Sequence, residues 1–135
     1  MVMSGVEEVV SVEMACDRKA PMKVRDLLTG LHDERWSLDD GLLVASELVT
    51  NAVQHSGCSA DDRLSVEITR RPGTLRIAVH DPGRSARTAA PVLEERSEPG
   101  GWGLQLIDRI SKRWGSERPD GNWVWAELQV DDDVV

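Results

Sequence analysis

The sequence predicts an α+β fold, a two-layer sandwich in which a mainly antiparallel sheet is covered on one face by three helices. One pair of neighbouring segments, and in near alternation the first segment, alternate apolar and polar residues, and three segments repeat apolar residues at the helical period. Their order, β-α-α-β-β-loop-α-β-β, gathers helices against one sheet. At 135 residues the chain, 1–135, is expected to form a single domain around one core.

Residues 6–14 mix Val with Glu and Ser in near alternation, which predicts a first strand. Pro21 suits the first turn of a helix over about residues 20–32, where Val24, Leu27, Leu28 and Leu31 follow the i, i+3, i+4, i+7 pattern. Ser37 and Asp40 resemble a capping box at the start of a second helix. Leu38, Leu42, Ala45, Leu48 (or Val49) and Ala52 carry that helix to about His55, and Gly57 lies where it would stop. Leu64, Val66 and Ile68, then Leu75, Ile77 and Val79, alternate on either side of Arg71-Pro72-Gly73 and predict a hairpin with one buried face. Residues 82–102 have no sustained period, and so long an irregular stretch inside a compact domain is usually functional. A third helix opens in Gly100-Gly101-Trp102-Gly103, with Leu104, Ile107, Ile110 and Trp114 on one face. Strands at about 114–118 and 122–130 flank a turn at Pro119-Asp120-Gly121, and residues 131–135 read as a solvated acidic tail.

Composition excludes several classes of function. The chain carries 24 acidic against 16 basic residues, a formal charge of −8, which weighs against nucleic acid as a direct partner because phosphate binding needs a basic face. No apolar run approaches the roughly 20 residues of a membrane span, and the first residues lack the layout of a signal peptide. A soluble, cytoplasmic protein is the expectation. Cys16 and Cys58 belong to no CxxC pair and read as reduced, inert thiols, while His32, His55 and His80 are isolated in sequence, so no metal cluster is predicted from them. Five Trp, at 36, 102, 114, 123 and 125, stand in a chain without Phe or Tyr and read as ordinary core filling; Trp114 and Trp125 look most like core, whereas Trp102 and Trp123 fall beside the candidate site.

Three clusters could carry chemistry. Glu47, Asn51 and His55 lie four apart and share one helix face. An Asn carbonyl oxygen is a hard ligand suited to Mg²⁺, and a carboxylate one turn away could take a proton from a hydroxyl or water; a solvated polar face explains the same residues. His80-Asp81-Pro82-Gly83 ends a strand in a turn. Its carboxylate could accept from the exocyclic amine of adenine, whereas guanine would present a carbonyl there, and Gly83 would let a planar base approach; a plain turn is the simpler account. Gly100-Gly101-Trp102-Gly103-Leu104 opens a helix, whose free N–H groups favour phosphate oxygens.

In this order the three clusters resemble the N, G1 and G2 boxes of the GHKL ATPase superfamily, which has the Bergerat ATP-binding fold. Within it the chain resembles the RsbW/SpoIIAB-type anti-sigma-factor serine/threonine kinases and their actinobacterial, HATPase_c-like relatives. The likeness rests on Glu47-Leu48-Val49-Thr50-Asn51-Ala52-Val53-Gln54-His55 and extends to Arg113-Trp114-Gly115 and to Asp120-Gly121 before Val124-Trp125. It implies ATP and Mg²⁺ as cofactors, with Asn51 coordinating Mg²⁺ and Glu47 as the catalytic base. Asp81 would hold the adenine amine, Gly83 would line the base, and Gly101, Gly103 and Leu104 would lead the phosphates to the following helix. Residues 83–102 would be the ATP lid, with Arg84, Arg87 and Arg96 as candidate donors. The implied partners are a sigma factor and a STAS-domain anti-anti-sigma protein phosphorylated on Ser or Thr, and a homodimer is implied as well. Two departures touch the base pocket: Ser85 stands at the second glycine of D-x-G-x-G, and the register places Trp123 where many relatives carry a supporting Thr. The alternatives are a nucleotide-binding regulatory module with weak or no kinase activity and a slow ATPase switch.

Overall fold

The computed structural model describes residues 7–82, 103–117 and 122–133. In chain order they form β1 (Glu8–Ala15), α1 (Ala20–Leu31), α2 (Leu38–His55), β2 (Arg63–Arg71), β3 (Thr74–Asp81), α3 (Gly103–Ile110), β4 (Arg113–Glu117) and β5 (Asn122–Gln129). The strands make a five-stranded sheet of order β1-β2-β3-β5-β4, with every neighbouring pair antiparallel. The α+β class and the element order agree with the sequence reading.

Helix α1 carries Pro in its first turn and buries Ala20, Val24 and Leu28. Leu27 packs beside them, but Leu31 is exposed, because the helix ends there and the backbone of His32 is already extended. Helix α2 is capped by the Ser37 hydroxyl, which accepts from the Asp40 N–H at 3.1 Å. Only this half of the capping box is seen; the Asp40 side chain is a methylene shorter than the Glu that usually reaches back. Gly41, Val44, Ala45, Leu48, Val49 and Ala52 form the buried stripe of α2. The helix stops at Ser56, and Gly57 follows with φ +77°, a conformation that glycine adopts without strain. Because α2 packs against α1, α3, β3 and β5, it is the centre of the helical layer.

The β2–β3 hairpin turns at Pro72-Gly73. Proline fixes a negative φ at the first turn position, and Gly73 supplies φ +76° at the second, the combination of a type II turn. Leu64, Val66, Ile68, Leu75, Ile77 and Val79 meet the helices in one core. Strand β5 enters between β3 and β4, so Val124, Ala126 and Leu128 join that core, and the intervening residues face the open side of the sheet.

The structure corrects three expectations and refines a fourth. Trp125 is not a core residue. It lies on the open face across Gly115, where an added Cβ would come within 2.9 Å of the indole, and the Arg76 guanidinium sits 4.3 Å from its ring centroid. Trp114 belongs to β4 rather than to the third helix; it is half-buried against the core, and its Nε1 donates to Asp108 at 2.9 Å. The acidic tail is solvated as expected, Asp131, Asp132 and Asp133 all being exposed, but it is tied down as far as it is described: the Asp132 carboxylate accepts from Arg70 and from the Gly73 N–H, and the Asp131 N–H donates to the Arg35 carbonyl. Finally, Cys16 and Cys58 are bonded to each other rather than free. The chain following β1 meets the loop after α2, with Cα atoms 6.2 Å apart across 42 residues of sequence, inside the range a disulfide spans.

Candidate functional site

Asp81 closes β3 in phase with Ile77 and Val79, on the face the helices cover, and is only 4% exposed. A carboxylate this buried needs hydrogen-bond donors. One comes from the adjacent strand: Asn122, the register partner of Asp81 and 5% exposed, donates from Nδ2 to Asp81 Oδ1 at 3.1 Å. The reverse amide orientation would set two acceptors against each other, so the carboxylate fixes which end of the amide it meets. That leaves Asn122 Oδ1 buried and without a hydrogen-bond partner among the described residues.

The register moves the expected supporting position by one residue. Trp123 lies opposite His80 on the open face, with the two rings 4.7 Å apart, and so does not stand beside Asp81. Asn122 occupies the inner position instead. The signal for it was present in sequence, since Asn122 is in phase with Val124, Ala126 and Leu128.

Glu47 and Asn51 lie one turn apart on α2, both half-buried and offset from its apolar stripe, while His55 in the last turn is exposed. Neither the Glu47 carboxylate nor the Asn51 amide is engaged by another described side chain. Burial pushes the Glu47 carboxyl above its ordinary value, and no described cation offsets the lost hydration. Since α2 packs against both β3 and α3, the helix bearing Glu47 and Asn51, the strand ending in Asp81 and the helix opening at Gly103-Leu104 are neighbours. Gly83, Ser85, Gly101, Trp102 and the candidate lid residues Arg84, Arg87 and Arg96 lie outside the described residues.

Among the described residues no group of three or more His, Cys, Asp and Glu side chains is placed to hold a metal ion. No helix among the described residues is long and apolar enough to cross a membrane.

A family model described as a histidine kinase-like ATPase domain matches residues 13–128. Among solved structures, the chain is similar to the RsbU and RsbW domains of Rv1364c from Mycobacterium tuberculosis, with a TM-score of 0.63 and 16% sequence identity. The likeness covers 91% of this chain and 32% of that one, so the chain spans about a third of its length. At that identity the likeness is one of fold. No curated protein matches the chain in sequence.

Proposed function

We propose, from the premise that this chain belongs to the histidine kinase-like ATPase domain family, that it is an ATP- and Mg²⁺-dependent protein serine/threonine kinase of the anti-sigma-factor type. It would bind a sigma factor in the cytoplasm and phosphorylate a STAS-domain partner on a Ser or Thr hydroxyl. The shared fold with a protein containing an RsbW domain supports that choice within the family. The observation that carries it is Glu47, a half-buried carboxylate with a raised pKa and no charge partner among the described residues, one helical turn from Asn51, whose amide no described side chain engages. Such a group is a better proton acceptor than an exposed carboxylate, because a base is most effective when its pKa approaches the working pH.

The residues present fit the nucleotide. Asp81 is a buried acceptor for a base amine, Asn51 offers an uncommitted carbonyl oxygen to a cation, and the N–H groups that open α3 at Gly103 and Leu104 suit phosphate oxygens. Bound Mg-ATP supplies the phosphoryl group and the positive charge that neutralises its oxygens. Glu47 then has one task, to take the proton of the hydroxyl aligned beside it. Asn51, a turn away on the same helix, would hold the cation, and the shared helix keeps the two side chains in register.

Incubation with γ-labelled ATP, Mg²⁺ and a STAS-domain protein tests this. Label should pass to a Ser or Thr of the partner. Glu47→Gln should lower transfer by about 10²–10⁴-fold while nucleotide affinity stays within about threefold, and Asp81→Asn should weaken nucleotide binding instead. Equal transfer by Glu47→Gln and wild type would sink the base assignment. Phosphate release to water at the same rate with and without partner would make the protein an ATPase switch.

A further inference from the structure

We propose that Asn122 reads the base, its free carbonyl oxygen accepting the second hydrogen of an adenine exocyclic amine whose first hydrogen goes to Asp81. The inference rests on the nucleotide-binding reading above and adds a specificity residue to it. Asn122 and Asp81 are register partners at the ends of adjacent strands, both at least nine-tenths buried and both on the helix-covered face. The amide spends its donor end on the carboxylate at 3.1 Å, so only an acceptor remains to face a ligand.

That acceptor is the anomaly. Nearly all buried polar atoms have a partner, and Asn122 Oδ1 has none among the described residues. In-phase neighbours Val79 and Val124 are apolar, and Trp123 faces the other side of the sheet. Only an N–H or O–H donor from outside this set can satisfy it. An adenine amine carries two hydrogens on one nitrogen, and two adjacent acceptors, one on each strand, match them. A carboxylate offers about four lone-pair sites, so the hydrogen bond from Asn122 does not exhaust Asp81 as an acceptor. Asn122 thereby does more than hold Asp81 in place: it makes the pocket demand both amine hydrogens.

The test compares ADP, N6-methyl-ADP and GDP by calorimetric titration against the wild-type chain, Asn122→Ala and Asn122→Val. The valine variant retains a β-branched residue suited to a strand should alanine fail to fold, and thermal melting establishes that each variant is folded. Wild type should prefer ADP over N6-methyl-ADP by about tenfold. Either variant should lose about tenfold in ADP affinity and much less for the methylated base, so that the preference shrinks to about twofold or less. If both ligands weaken by the same factor, Asn122 only positions Asp81, and the proposal is overturned while nucleotide binding stands. GDP binding as tight as ADP overturns it too. If the wild-type chain binds no adenine nucleotide, the nucleotide reading itself fails, a result distinguishable from the unchanged ratio.

Discussion

Glu47 is charged in a place that resists its charge. Burial raises its pKa, so the folded state holds the Glu47 proton more tightly than the unfolded chain does. The contribution to stability is therefore fully present below the unfolded value of about 4.5 and is lost as pH rises through the folded one. Glu47→Gln removes that penalty. It should be more stable than wild type at about pH 7, by under about 1 kcal/mol because the group is half-exposed and water screens it, and the gain should vanish near pH 4 in denaturant titrations. A loss of transfer together with a gain of stability marks a residue kept for chemistry. At this scale the sequence was legible where spacing carried the information: Glu47 and Asn51 share a helix face because they are four residues apart. It misled at Trp123, since a one-residue slip in a strand sends the side chain to the opposite face. Asn122 could be read from its phase with Val124, but its hydrogen bond to Asp81, 41 residues away, could not.

Helix α2 shows what an element adds. Its apolar stripe begins at Gly41, where an added Cβ would lie 2.5 Å from the buried Trp36 ring. An exposed helical Gly→Ala exchange gains about 1 kcal/mol, but here the overpacking opposes it. Gly41→Ala should lower stability by about 1–3 kcal/mol in urea titration, and a gain would show that the indole moves aside freely. The period of α2 announced the stripe; nothing local announced that Trp36, in the preceding loop, covers its first turn. The far end of the same helix is tethered through the Cys16–Cys58 bond. Closing 42 residues restricts the unfolded chain by about 4 kcal/mol in the chain-entropy account. Cys58→Ser should remove most of that stabilisation, and thiol reductant should do the same to wild type while leaving the variant unchanged. Two cysteines without a motif read as free thiols because spacing in sequence does not report that β1 and the loop after α2 meet.

Across the whole molecule, an open sheet face holds a buried acid in a cage of arginines. Glu127, 1% exposed, accepts from Arg113 at 2.6 and 2.9 Å, from Arg76 at 3.1 Å and from Arg71 at 3.4 Å. Burial alone would push its carboxyl up, but the hydrogen bonds and charges of Arg113 and Arg76 outweigh it and hold the group below 4.5. The sign is opposite to that of Glu47: this stability is present above the unfolded value and is lost as pH falls through the folded one. Glu127→Gln should lower stability by about 1–2 kcal/mol at about pH 7, with the difference from wild type fading near pH 3 in paired urea titrations. A constant difference across that range would mean that the packing rather than the charge matters. The network joins β2, β3, β4 and β5, and it exists because β5 enters between β3 and β4. The sequence by itself determined the α+β class, the order of the elements, most helix boundaries and the Glu47–Asn51 pair, because periodicity, caps and turn residues act over a few neighbours. Only the tertiary structure decided the strand order, the Cys16–Cys58 bond, the cage around Glu127 and the Asn122–Asp81 pair. Each of these joins residues distant in the chain, and no local repeat in a sequence encodes which distant backbone will lie alongside.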